Sequence, residues 1–160
     1  MSAGPASPSL KLVQLPSAAD LPLPAYQTEG AAGLDLLAAV PEHEPLEMQP
    51  GAIAAVPTGL KMALPKGHEG QVRARSGLAI KHGITVINGI GTIDEDYRGE
   101  VHVGLINLGS KVFAITRGMR IAQLVVCPIT RVTIEPVTEL DPTPRGLGGF
   151  GSTGLTKPNG

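Results

Sequence analysis

A chain of 160 residues that is 42% hydrophobic is long enough for one domain with a sizeable core, and only 2% aromatic content makes that core aliphatic. A formal net charge of −1 without a long run of either sign excludes a polyanion such as duplex nucleic acid as the expected partner. One cysteine rules out an internal disulfide framework, no apolar run approaches the ~20 residues of a membrane span, and no signal peptide is visible, so a soluble, reducing, cytoplasmic setting without a membrane partner is expected.

Residues 1–9 are small and Pro-bearing and read as disordered. Residues 10–15 read as a first strand, and 16–26 as a loop in which Pro22 and Pro24 block regular structure. In the run 31–39, Leu34, Leu36 and Ala38 alternate, which points Asp35 to the opposite face. Residues 52–56 and 60–64 read as two short strands around Pro57-Thr58-Gly59, and 70–75 alternates again. Residues 76–83 differ: two helical turns, with Ser76 as N-cap and Gly83 as the stop. A long β-hairpin is expected over 84–107, and further strands over 111–116, 120–127 and 131–137. The lone Cys127 lies in an apolar run and reads as a small core residue. Short strands with Gly and Pro turns imply an all-β, jelly-roll-like sandwich or barrel over 10–138, with one short helix, followed by a flexible Gly-rich arm over 139–160.

Three stretches can carry chemistry. The centre of the hairpin, Asn88 to Glu100, combines an amide, carboxylates, an aromatic ring and bare glycine backbone. Period-2 alternation gives Asn88, Ile90, Thr92 and Asp94 a common face. Asp94 reads either as a general base that takes a proton from water or as an acid of an exposed turn. Tyr97 reads either as a platform for a sugar ring or as a cover for the core edge. Arg75-Ser76-Gly77 offers a cation, a hydroxyl and free backbone N–H groups, a ready anion site, or else an ordinary capped helix start with a solvated Arg. In the arm, Arg145 precedes four glycines within Gly146 to Gly151, then Ser152 and Thr153. Such a run can form a phosphate-binding nest on which Phe150 stacks a planar base, or it can be a disordered tail. No His or Cys pair has metal-ligand spacing.

Together with Ala32 to Leu36 and Arg117 to Leu124, these stretches resemble, in order, the five motifs of the trimeric deoxyuridine triphosphatases (dUTPases), over roughly residues 10–154. One departure is Ala74, where the family usually has Pro before Arg-Ser-Gly. The resemblance implies a jelly-roll homotrimer whose sites are each assembled from three chains. These would hydrolyse dUTP to dUMP and pyrophosphate with Mg²⁺ on the triphosphate, keeping uracil out of DNA and supplying dUMP for thymidylate synthesis. It further implies that Asp94 activates the attacking water. Asn88 and the backbone of Ile90, Gly91, Thr92, Ile93 and Asp94, across to His102, would read uracil. Tyr97 would pack under the deoxyribose, Arg75, Ser76 and Gly77 would hold phosphates, and Gln123 would contact the substrate through water. Asp35 and Gln123 would reach the metal through water, without direct ligation. Arg145, Phe150, Gly151, Ser152 and Thr153 would close over the nucleotide. A dCTP deaminase-like enzyme on the same fold and a non-catalytic nucleotide-binding module are the rival readings.

Overall fold

Alternation of aliphatic and polar residues is what makes strands of this chain two-faced. In β8 (Glu100–Asn107), Val101, Val103 and Leu105 are buried while His102 between them is exposed. A computed structural model describes residues 7–149. It contains β1 (Lys11–Gln14), a 3-10 turn (Pro16–Ala18), β2 (Leu34–Leu37), β3 (Leu46–Met48), β4 (Ile53–Ala63), β5 (His68–Arg73) and α1 (Ser76–His82). β6 (Ile84–Val86), β7 (Ile90–Ile93), β8, β9 (Phe113–Ile115) and β10 (Arg120–Pro128) complete it. The pairing is antiparallel throughout and gives two four-stranded sheets, β1-β4-β8-β6 and β2-β10-β5-β7, with β3-β9 as a separate ribbon. The fold is all-β and jelly-roll-like, as expected. Its core is aliphatic: Leu36, Val56, Val103, Leu105, Ile115 and Leu124 are fully buried, each stabilising the fold by roughly 1.5–3 kcal/mol on burial. No helix among the described residues is long and apolar enough to cross a membrane.

Four local expectations are corrected. Residues 53–63 form one strand, not two. The β4–β8 register breaks between Pro57 and Lys61, and side chains bridge the break: Thr58 Oγ1 donates to Val101 O at 2.6 Å and Gly59 N–H to the Glu100 carboxylate at 2.8 Å. Residues 131–137 carry no strand; Val132 and Ile134 are 79% and 86% exposed. The N-cap of α1 is Arg75, not Ser76, and no side chain caps it. Cys127 is half-buried and pairs across from Glu69 instead of sitting in the core. β3 was not expected at all, being too short to show a period.

The helix stop at Gly83 holds, and for two reasons. Its φ of 72° is left-handed, and a Cβ there would stand 2.7 Å from Gly109 Cα. The end of α1 is thereby pressed onto the loop after β8. Buried Asn107 fixes that loop. Its amide donates to Met48 O and Lys111 O at 2.8 Å each, and its Oδ1 accepts from Gly109 N–H at 2.9 Å. On another side, Arg117 donates to Asp20, to Ser17 O (2.7 Å) and to Val40 O (2.9 Å), tying the 3-10 turn to the strands. The Arg117 hydrogen bond holds the Asp20 carboxyl below its usual range.

Among the described residues, those up to Thr130 form one compact unit and those from Arg131 belong to a second, smaller one. In the described part of the second, tight turns close Gly146 N–H on Thr143 O and Gly148 N–H on Arg145 O, both at 3.0 Å.

Candidate functional site

The outer face of the β2-β10-β5-β7 sheet gathers polar groups because its inner face takes the aliphatic ones. Asp35 alternates with buried Leu34 and Leu36, and on edge strand β2 pairs with Gln123 of β10. It is only 6% exposed because two guanidinium groups cover it. Arg75 Nε lies 3.3 Å from one carboxylate oxygen and Arg120 Nε 3.5 Å from the other. Arg75 also donates to Arg120 O at 3.1 Å. One carboxylate against two guanidiniums leaves the cluster cationic. Neither Asp35 Oδ1 nor Arg75 Nε makes a well-formed hydrogen bond, although both are buried. Arg75, Ser76, Gly77 and Gln123 line one open cleft of about 300 Å³ with Lys81 and His82. The backbone N–H groups of Ser76 and Gly77 find no acceptor among the described residues. A cation, a hydroxyl and two free amides converging on one cleft make an anion site.

The hairpin centre behaves differently from its sequence reading. β6 pairs with the end of β8, Ile84 with Asn107 and Val86 with Leu105. β7 then leaves for the other sheet and pairs with β5, Ile90 opposite Arg73 and Ile93 opposite Gly70. The expected hairpin is thus split between two sheets. β7 is an edge strand, and the start of β8 extends beyond its pairing with β6. Between the two opens a cleft of about 260 Å³ lined by Thr92, Ile93, Asp94, Tyr97, Glu100, Val101 and His102. Its walls are strand edges with unpaired peptide groups, which present donors and acceptors at fixed spacing.

The three adjacent acids now separate. Glu95 accepts from Gly67 N–H at 2.7 Å, and its backbone oxygen accepts from Arg98 at 2.7 Å, so it staples the turn. Asp96 does not line the cleft. Asp94 does, and its carboxylate accepts no hydrogen bond among the described residues. It is the acid available to a bound molecule. Tyr97 is half-exposed, donates to Glu100 O at 3.0 Å, and brings the hydroxyl end of its ring against Gly99, where a Cβ would stand 2.6 Å from the ring's Cζ.

The chain brings the expected residues together in two groups, not one. Arg75, Ser76, Gly77 and Gln123 share the first cleft, with Asp35 beneath; Thr92, Ile93, Asp94, Tyr97 and His102 share the second. Asn88 and Gly91 line neither. Ile90, Thr92 and Asp94 are exposed on one face, as alternation requires, whereas Asn88 precedes the strand in a turn. Extending the β5–β7 register puts Asp94 level with Glu69, so Asp94 and Arg75 stand about six residues, or about 20 Å, apart along the sheet. Arg145 donates to Gly148 O at 2.9 Å within the second unit, and Phe150, Gly151, Ser152 and Thr153 lie outside the described residues. Sequence reasoning missed Arg120. Its signal was present in the run Arg117 to Leu124, but nothing local says that it reaches Asp35.

Comparison with known proteins bears on this geometry. The dUTPase family model matches residues 19–154. A deoxyuridine 5'-triphosphate nucleotidohydrolase of Rhizobium meliloti (strain 1021) is 58% identical over 148 residues, covering 92% of each chain. A protein of the same name from Methylocella silvestris is 57% identical over 146 residues, covering 91% of each chain. Among solved structures, the Staphylococcus bacteriophage 80alpha dUTPase with dUpNHpp superposes with a TM-score of 0.81 at 24% identity, over 92% of this chain and 99% of that one. A mutant dUTPase of phage phi11, described with a coordinated structural Mg(II) ion, gives 0.73 at 21% identity, over 83% and 99%.

Proposed function

The chain belongs to the dUTPase family, and from that premise we propose that it hydrolyses dUTP to dUMP and pyrophosphate by water attack on the α-phosphate, which would keep uracil out of DNA and supply dUMP for thymidylate synthesis. The observation that carries this reading is the slot between β7 and β8, with Asp94 unpaired at its wall. Uracil offers two carbonyl acceptors and one ring N–H, a pattern that peptide groups on facing strand edges can complement. Cytosine presents a donor where uracil presents an acceptor, which leaves polar groups unpaired, and a narrow slot leaves no room for the 5-methyl of thymine.

In the mechanism, Thr92, Ile93 and His102 hold the base through backbone groups, with Asn88 in the turn before β7 and Gly91 within β7 beside them. Tyr97 packs under the deoxyribose, where a 2′-hydroxyl would meet the ring. Asp94 orients water and accepts its proton. Arg75, Ser76 and Gly77 bind phosphate oxygens, with Gln123 beside them. Asp35 is a positioning residue that sets the Arg75 guanidinium. Arg145, Phe150, Gly151, Ser152 and Thr153 close over the nucleotide and exclude bulk water.

An α-phosphorus cannot lie at both clefts of one chain when Asp94 and Arg75 are about 20 Å apart. The reading therefore includes a homotrimer in which the base cleft of one copy faces the phosphate cleft of the next. A head-to-tail contact of this kind closes into a ring.

The described residues fit Mg²⁺ carried on the triphosphate, not held in a protein cage. Among them no group of three or more His, Cys, Asp or Glu side chains is placed to hold a metal ion. Asp35 Oδ1 has no hydrogen-bond donor, but two guanidiniums flank it and favour contact through water. When bound, the ion would neutralise phosphate charge.

The test is release of pyrophosphate from dUTP, dTTP, dCTP and UTP with and without Mg²⁺. Release from dUTP alone is expected. No release from dUTP would overturn the reading, and ammonia from dCTP would favour a deaminase. Gly99→Ala should lift the Tyr97 ring and raise KM for dUTP by roughly tenfold while changing kcat less, as expected when ground-state and transition-state binding fall together. An unchanged KM would show that the ring does not support the sugar.

A further inference from the structure

Beyond the phosphate cleft lies a larger one, about 620 Å³, between the end of α1 and the loop that joins β8 to β9. The two clefts adjoin at Lys81 and His82, which line both. The far wall is built, not incidental. Gly83 and Gly109 meet backbone to backbone. Buried Asn107 holds both the Gly109 N–H and the Lys111 carbonyl, so the backbone on either side of Ser110 is anchored to one side chain. The His82 ring sits against Phe113 with centroids 5.0 Å apart and a 48° tilt, which steadies the imidazole at the junction. Ser110 adds a hydroxyl, and no carboxylate lines the groove. Neither Lys81 nor Lys111 is in an ion pair among the described residues.

We propose that this groove, running from Arg75 past Lys81 and His82 to Lys111, is a binding track for condensed inorganic phosphate: pyrophosphate leaving the site, and longer chains such as tripolyphosphate. Its chemistry is that of an extended polyanion lying along spaced cations, with hydroxyl and ring N–H donors between them. Its two rings, His82 and Phe113, pack against each other, and no acid lines it to accept from a sugar, so a second nucleoside is not the ligand. The inference rests on the phosphate half of the site proposed above, and it assigns to the chain a product and inhibitor path that dUTP itself does not need.

The experiment uses the full chain and two readouts. The first is direct titration with pyrophosphate and with tripolyphosphate in a calorimeter, without turnover. The second is inhibition of dUTP hydrolysis by the same two anions and by dUMP. Lys111→Ala should weaken tripolyphosphate binding and inhibition by roughly fivefold, in line with losing one partly exposed charge contact, while kcat/KM for dUTP and inhibition by dUMP stay as in the parent. Lys111→Arg should keep the binding. Because pyrophosphate is shorter, its affinity should fall less in Lys111→Ala than that of tripolyphosphate. Equal affinity of parent and Lys111→Ala for tripolyphosphate overturns the track, as does a parallel loss of dUMP inhibition. Tripolyphosphate binding that depends on Lys111 without any dUTP hydrolysis would keep the track and remove the dUTPase reading instead.

Discussion

Asp94→Asn is expected to lower the rate of pyrophosphate release from dUTP by a factor on the order of 10²–10⁴, the usual contribution of a positioned general base. The amide keeps the shape and one acceptor but cannot take the proton of the attacking water. The half-exposed Tyr97 ring and the backbone slot are untouched, so a non-hydrolysable dUTP analogue should bind the variant nearly as well as the parent. Glu95→Gln is the matched control. Glu95 is engaged by Gly67 N–H, so its loss should appear as lower thermal stability more than as slower chemistry. Should Asp94→Asn turn over like the parent, or Glu95→Gln lose activity at full stability, the assignment of the base falls.

Mixing two inactive variants should restore activity. On the proposed reading Arg75→Ala would remove a phosphate ligand and Asp94→Asn the base, so each variant alone should be nearly dead. If each site takes Asp94 from one copy and Arg75 from its neighbour, co-refolded or subunit-exchanged mixtures contain sites with both wild-type residues. For equal amounts and random assembly in a closed ring, about a quarter of the sites qualify. Activity should approach that fraction of the parent value. Recovery absent from verified mixed trimers would place both residues in the same copy. That outcome would contradict the separation of about 20 Å set by the β5–β7 register.

The strand faces were legible because period 2 is a local property. Leu34 and Leu36 announced that Asp35 turns away from them, and the structure places it on the outer face. Gly83 announced the end of α1 for the same reason: a left-handed residue after Lys81-His82 is a local event. What stayed hidden was partnership. The runs on both sides of Asn88 alternate correctly, yet alternation does not say that β6 joins β8 while β7 joins β5. Pro57 looked like an interruption, because the side chains that bridge it, Thr58 and Glu100, act across the sheet. Nothing local gives Arg120 a role, since its contact with Asp35 depends on the sheet order β2-β10-β5. The residues of both clefts were thus identified by type, but their division into two distant groups follows only from register.

The slot between β7 and β8 has a consequence for how its selectivity can change. A pocket that reads a base with side chains can be re-aimed by exchanging one of them. A pocket that reads it with peptide groups cannot, because every residue carries the same N–H and C=O. Single substitutions at Thr92, Ile93 or His102 should alter how tightly the slot grips without altering which base it prefers. Preference would shift only when strand spacing or register shifts, through an insertion or a slipped β5–β7 pairing that also turns Ile93 out of the core. If the slot reads uracil as proposed, base choice is fastened to folding stability, and variants that lose one should lose the other.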